Sequence, residues 1–177
     1  MRVEGITGIA TRMAEIRYQL AAFRPSAAAP VEGAAFAGAL SAASAATEAT
    51  LKARYDNGRI PADALTQIGS TGHRLAAPAA TAMEGLLRAA GRDGVTIGIT
   101  DSYRSYDEQV DLARRKGLYS QGGLAAKPGT SDHGWGLATD LDLDSKAQAW
   151  MRTNAGKYGF VEDTPREPWH WAYTPRT

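Results

Sequence analysis

Ser131-Asp132-His133-Gly134-Trp135-Gly136-Leu137-Ala138-Thr139-Asp140 (SDHGWGLATD) leads into Leu141-Asp142-Leu143. Leu137, Leu141 and Leu143 fall on one face of the run 137–143, the alternation of a half-buried strand. Upstream, Val95, Ile97 and Ile99 alternate in the same way over Val95–Thr100 (VTIGIT). Helical patterns flank these two strands. One runs from about Pro78 to Ala90 with Met83, Leu86, Leu87 and Ala90 inward, and another from Tyr106 to Lys116. A third follows Ser145, read as its cap, and ends near Gly156 or Gly159. Residues 120–134 read as a glycine-rich loop, and PREPWHWAY (165–173) as a closing turn and strand. Helices and strands alternate irregularly with long loops. The expected class is therefore α+β, a small antiparallel sheet with flanking helices, rather than a doubly wound fold.

The opening stretch reads S-x-H-x-x-G-x-A-x-D, with His133 at the end of the glycine loop and Asp140 in a strand. A second short context, Glu167-Pro168-Trp169-His170, reads E-x-W-H. Together they offer two imidazoles, one carboxylate ligand and a spare carboxylate. A catalytic zinc site uses three protein ligands and leaves its fourth position open. A free carboxylate beside that position can move protons. In a regular strand, positions three apart face opposite ways, so Glu167 and His170 share a site only if a turn or bulge intervenes. Pro168 favours such an irregularity. His73, the remaining histidine, has no comparable context and is read as structural. Asp142 and Asp144 share the face of Asp140 and are read as a solvated strand end.

Composition narrows the function from the other side. The 177 residues suit one domain with a short appendage. Twenty Lys and Arg against 19 Asp and Glu leave a net charge of +1, without the basic excess of a nucleic-acid binder. No cysteine is present, which removes disulfides, thiolate-held metals and thiol catalysis together. No run approaches the ~18 apolar residues of a membrane span. MRVEGITGIATRMAEIRYQL (1–20) carries charge every few positions and lacks the apolar core of a secretory signal.

The chain is expected to divide near residue 60, with an alanine-rich helical segment over 1–60 and a catalytic domain over 61–177. Ile6, Ile9, Met13, Ile16, Leu20 and Phe23 form one apolar helical stripe, ended by Pro25. Ser26–Gly33 reads as a linker. A second helix is expected from about Ala34 to Arg54, and Asp56–Ala64 (DNGRIPADA) as a turn.

S-x-H-x-x-G-x-A-x-D followed by E-x-W-H resembles the zinc D-Ala-D-Ala metallopeptidases, in particular their VanY-like D,D-carboxypeptidase branch, which is related to the hedgehog-type zinc domains. The resemblance extends to Tyr103-Arg104-Ser105-Tyr106 with Gln109 (Y-R-S-Y-x-x-Q), to Ala126-Lys127-Pro128-Gly129, and to NAGKYGF over 154–160. It covers about residues 73–173 in matching order and spacing. It implies that His133, Asp140 and His170 hold Zn2+ and that Glu167 is the general base and later the acid toward the leaving amine. It implies that Arg104 polarises the scissile carbonyl or clamps a terminal carboxylate, with Ser131 and Gln109 in the substrate cleft. Trp135, Trp169 and Trp171 are read as cleft walls or as packing.

The implied substrate is the stem peptide of peptidoglycan, from which the enzyme removes a terminal D-alanine. Two alternatives accompany this reading: a lysin-like endopeptidase, and a non-catalytic zinc-containing binding module of the hedgehog kind. The expected setting is the cell envelope or the exterior, reached without a recognisable signal peptide, with the cytoplasm left open. The N-terminal helices are read as a docking element for a protein partner.

Overall fold

A computed structural model describes residues 33–174. The chain resolves into two compact units, Met1–Phe36 and Ala37–Thr177, of which the second carries the sheet and the site. The expected helix over 6–23 lies outside the described residues. So does the linker up to its last residue, Gly33, which begins helix α1 (Gly33–Arg54).

Four antiparallel strands build the central sheet: β3 (Gly98–Asp101), β4 (Ala138–Asp142), β5 (Phe160–Val161) and β6 (His170–Tyr173), in the order β3-β4-β6-β5. A separate two-stranded ribbon, β1 (Thr66–Gln67) with β2 (Arg74–Leu75), precedes it. The α+β class and the small antiparallel sheet expected from the sequence are what the chain forms. Helix α2 (Ala77–Arg92) starts with a proline in its first turn, where the missing N–H costs nothing. Helix α4 (Ser145–Asn154) is capped by Asp144, whose side chain accepts from the Ala147 N–H at 2.7 Å, and not by Ser145 as expected. The aspartate stands one residue earlier, in the extended conformation a cap requires.

Strand alternation separates two functions. Thr139 and Leu141 on β4, with Trp171 and Tyr173 on β6, turn to the core, where Met83 and Leu86 of α2 and Met151 of α4 cover them. Asp140 and His170 turn to the other face and stand directly opposite one another in register. A slip of one residue would exchange the two faces, so burial of the core set also fixes the polar set.

Helix α3 (Tyr106–Lys116) begins as the sequence reading placed it. Ser105 and Glu108 form a reciprocal capping box, which holds Arg104 as the residue just before the capped turn. The segment joining α1 to the ribbon is packed into the same unit. Leu51 and Ile60 are buried with Leu65 and Ala76, and Tyr55, Tyr103 and Trp135 lie against them. Gly58, at φ +76°, donates to Gly134 O and accepts from the Tyr106 N–H. A Cβ there would lie 2.5 Å from Tyr106 N, so no other residue fits. Leu51, Tyr55, Gly58 and Ile60 all lie N-terminal to position 61.

Candidate metal centre and active site

His133 reaches the site from a 3₁₀ turn, Asp132–Trp135, which Gly136 ends in the left-handed region at φ +65°. The glycines of S-x-H-x-x-G thus have distinct work. Gly136 turns the chain from His133 into β4, and Gly134 leaves room for the buried Asn57 carboxamide, which donates to Ser131 O at 2.7 Å. The turn anticipated between Glu167 and His170 is present. The His170 N–H donates to Glu167 O at 2.9 Å, which places both side chains at one cleft.

Three donor atoms converge. His133 Nε2 is 3.2 Å from His170 Nδ1 and 3.3 Å from Asp140 Oδ1, and His170 Nδ1 is 3.2 Å from Asp140 Oδ1. Ligand atoms ~2.0–2.1 Å from a tetrahedral zinc lie roughly 3.3–3.4 Å apart, so this triangle is close to one face of such a tetrahedron. The tautomer agrees. His133 Nδ1 is 2.7 Å from Ser102 O; a carbonyl only accepts, so Nδ1 carries a proton and Nε2 is the nitrogen turned toward Asp140 and His170. His170 Nε2 lies 3.8 Å from Asp163 Oδ1, within ion-pair reach of that carboxylate but beyond a hydrogen bond. The residues present therefore fit a zinc ion.

The electrostatics describe a site made for a cation. Burial works to raise the Asp140 carboxyl, but hydrogen bonds and charge from His133 and His170 outweigh it and hold the group well below the usual carboxylate range. Burial works to lower His170, and the bond and charge of Asp140 outweigh it, so the imidazole sits above its usual value. Asp132 is pushed up by burial and then by the charge of Asp163.

Arg104 is nine-tenths buried and heavily engaged. Its Nε and Nη2 donate to Asp101 Oδ2 at 2.9 and 2.6 Å, Nη2 also reaches Asp140 Oδ2 at 3.4 Å, and Nη1 donates to Gln109 Oε1 at 2.8 Å. Asp101 is paired with Asp140 in the sheet register, so one guanidinium ties β3 and β4 together beside the donor triangle. Gln109 also donates to Ala126 O at 2.9 Å. It stands behind Arg104 and does not line the cleft, whereas Ser131 does.

The cleft has a volume of about 480 Å³, and Arg104, His133, Asp140, Glu167 and His170 all line it. Of the three tryptophans read as cleft walls or packing, Trp169 lines it, Trp171 lies in the core and Trp135 packs with Leu51 and Ile60. Asp142 and Asp144 are solvent-exposed. His73 sits outside the cleft, its Nδ1 3.1 Å from Ser102 Oγ. The alternative reading of Arg104 as an ion-pair partner of Asp101 or Asp107 meets its partner in Asp101, three residues away. One contributor escaped the sequence reading. Tyr119, whose hydroxyl lies 3.0 Å from Glu167 Oε2, gave no signal, being 48 positions away along the chain.

Two histidines and an aspartate grouped so that they could hold one metal ion, with a buried glutamate beside them, are what this fold presents. Residues 72–176 match the VanY D-alanyl-D-alanine carboxypeptidase family, and the chain belongs to it. Over 133 residues it is 29% identical to a D-alanyl-D-alanine carboxypeptidase of Enterococcus faecalis, covering 59% of this chain and 50% of that one. The chain spans about half the length of the curated relatives it matches. Its fold is similar to that of VanYB in complex with D-alanine-D-alanine (TM-score 0.55, 28% identity, 65% of this chain and 81% of that one). It is also similar to a vancomycin-resistance D,D-pentapeptidase VanY mutant in complex with Zn(II) (TM-score 0.53, 27% identity, 64% and 82%). The LdcB L,D-carboxypeptidase is a third likeness (TM-score 0.54, 26% identity, 69% and 71%).

Proposed function

We propose that the chain is a zinc-dependent peptidoglycan peptidase, a D-alanyl-D-alanine carboxypeptidase that hydrolyses the terminal D-Ala of stem peptides. The observation that carries this reading is the triangle of His133 Nε2, Asp140 Oδ1 and His170 Nδ1 in a cleft that also holds Glu167. These three residues would hold the ion, which when bound supplies Lewis acidity toward the scissile carbonyl and the attacking water.

The chain's own residues supply the rest. Glu167 takes a proton as water adds to the amide carbon, and returns it to the amine as the C–N bond breaks. Arg104 faces the site with a fixed positive charge that favours negative charge developing on the carbonyl oxygen. Its planar fork is spent largely on Asp101 and Gln109. That supports the polarising role over a bidentate clamp on a free carboxylate. Ser131 lines the cleft as a substrate contact. The place of action in this reading is the cell envelope, where such peptides occur. No helix among the described residues is long and apolar enough to cross a membrane.

A second reading, removal of D-alanine from the tetrapeptide stem, is favoured by the likeness to the LdcB L,D-carboxypeptidase. The test is incubation of the zinc-loaded full chain with pentapeptide, tetrapeptide and cross-linked muropeptides, followed by mass analysis. Loss of one alanine from the pentapeptide is expected. Loss from the tetrapeptide alone supports the second reading, a separated cross-link indicates an endopeptidase, and no change in any substrate refutes the enzymatic reading.

A further inference from the structure

The segment from Gly117 to Ala125 is a self-contained arm at the mouth of the cleft. Tyr119 N–H donates to Ala125 O at 2.9 Å, Ala125 N–H to Gly117 O at 3.0 Å, and Gly123 N–H to Leu118 O at 2.9 Å. The arm is so tightly folded that a Cβ on Gly123 would lie 2.6 Å from Lys116 O. It meets the Glu167 turn at two points. The Tyr119 hydroxyl bonds Glu167 Oε2 at 3.0 Å, and Arg166 Nη2 reaches Gly123 O at 3.4 Å. Arg166 itself is held at φ +68°, a conformation that costs a non-glycine residue energy and persists only where its surroundings hold it.

The arm also carries much of the cleft's apolar surface. The large hydrophobic side chains that stand exposed among the described residues are Tyr119, Leu124 and Trp169, and all three line this one cleft. Scattered exposed hydrophobics need no explanation, but their collection at one site does. Glu167, by contrast, is only 5% exposed. It sits on a turn with several freely rotating side-chain bonds, while a catalytic base must be held within about 0.5 Å of its working position.

We propose that Tyr119 is the positioning residue of Glu167, fixing its carboxylate through Oε2 so that Oε1 is left for proton transfer. This deepens the peptidase reading and rests on it for the role of Glu167. A carboxylate only accepts hydrogen bonds, so the phenol is the donor. Burial, and then the bond to Glu167, raise the phenol well above its usual pKa, which keeps that donor proton in place. The Tyr119 hydroxyl bonds Glu167 and none of the three metal-facing donor atoms, so its effect is separable from metal binding.

The test uses the full chain with Tyr119→Phe, Glu167→Gln and both substitutions together. Hydrogen bonds to charged groups are the strong ones, and loss of a partner that orients a working group typically costs roughly 10–100-fold. Tyr119→Phe is expected to lower kcat on the muropeptide by about that factor with KM nearly unchanged and zinc content intact. In the Glu167→Gln background the same substitution should change the rate by less than about twofold, since the group it positions no longer acts as a base. Crystal structures of the parent and Tyr119→Phe proteins supply a readout that needs no turnover. Glu167 should move or occupy more than one rotamer while Asp140 and His170 stay in place. An unchanged single Glu167 rotamer overturns the proposal, as does an equal loss of rate in both backgrounds. An inactive wild-type protein refutes the peptidase reading instead, and the Glu167 rotamer then decides the role of Tyr119 alone.

Discussion

Gly134→Ala offers a measurement of how far the segment before residue 60 supports the metal-facing turn. Gly134 follows His133 and lies against Asn57. A Cβ there would sit 2.6 Å from Asn57 Cγ, closer than any real packing contact. The backbone itself accepts alanine, because Gly134 is not among the glycines at positive φ. The cost therefore falls on Asn57, which is buried and donates to Ser131 O at 2.7 Å. Pushing it aside leaves a buried amide without its acceptor, about 1–3 kcal/mol, and overpacks the site by about 1–3 kcal/mol more. The expected destabilisation is about 2–6 kcal/mol. With a urea m-value of ~2 kcal/mol per M, the unfolding midpoint should fall by roughly 1–3 M.

Asn57→Ala alone should cost less, about 1–2 kcal/mol, because Ser131 O keeps its bond from the Gly134 N–H at 3.0 Å. In the double variant the new methyl occupies the space the carboxamide has left. The two substitutions should then be strongly non-additive, with a coupling of about 1–3 kcal/mol in favour of the pair. Urea unfolding followed by tryptophan fluorescence reads all three numbers. Zinc affinity should fall in Gly134→Ala and recover in the pair, since the displaced turn carries His133. A Gly134→Ala protein within about 0.5 kcal/mol of the parent, or strictly additive costs, would show that Asn57 does not brace this turn.

The same geometry sets three further outcomes. Glu167→Gln should keep about one zinc per chain and the fold while losing roughly 10²–10⁴ in rate, whereas His133→Ala should lose most of its zinc; metal analysis beside the muropeptide assay separates the two, and loss of zinc in Glu167→Gln would make Glu167 a ligand. Compared with a chain beginning at Ala37, one beginning at Ala62 forfeits the burial of Leu51 and Ile60, about 1.5–3 kcal/mol each, and should unfold at lower urea; equal midpoints would support the boundary near residue 60. For the metal-free protein, the raised His170 contributes stability that is complete below the ordinary imidazole value of ~6.5 and is lost as pH rises through its higher folded value. The depressed Asp140 contributes stability above the ordinary carboxylate value of ~3.9 that is lost as pH falls through its lower folded value. Chelated protein should accordingly weaken on the alkaline side while zinc-loaded protein does not, because the metal replaces the proton; identical pH profiles of the urea midpoint would refute this.

What the sequence disclosed depends on how local each feature is. Helix α3 was legible to the residue, Tyr106–Lys116, because its apolar positions and its C-terminal glycine act within the helix itself. The capping signature Ser105-x-x-Glu108 was equally visible in principle and would have explained why Arg104 stands where it does. Strand β4 fell inside its expected run, but β3 begins three residues later than Val95. The Val95 N–H is taken by Ala90 O in the exit from α2, so the apolar alternation there starts before the ladder does. The ribbon of β1 and β2 gave no periodic signal, each strand being two residues long.

The candidate site divides along the same line. His133, Asp140, His170 and Glu167 announce themselves by residue type in short contexts, yet their convergence is a product of register. Asp140 faces His170 only because β4 and β6 pair antiparallel with Thr139 opposite Trp171 on the core side. Sequence spacing carries no information about that pairing. The partners that tune the site are still less local. Ser102 fixes the His133 tautomer through a backbone carbonyl that any residue would supply, and Tyr119 meets Glu167 through a tertiary approach of two loops. Candidate ligands are therefore a matter of side-chain chemistry and readable from motif. Ligand orientation is a property of the sheet and the loops around it, which is why sequence leaves Arg104 open between polarising a carbonyl and clamping a carboxylate, while the fold shows its fork bound to Asp101.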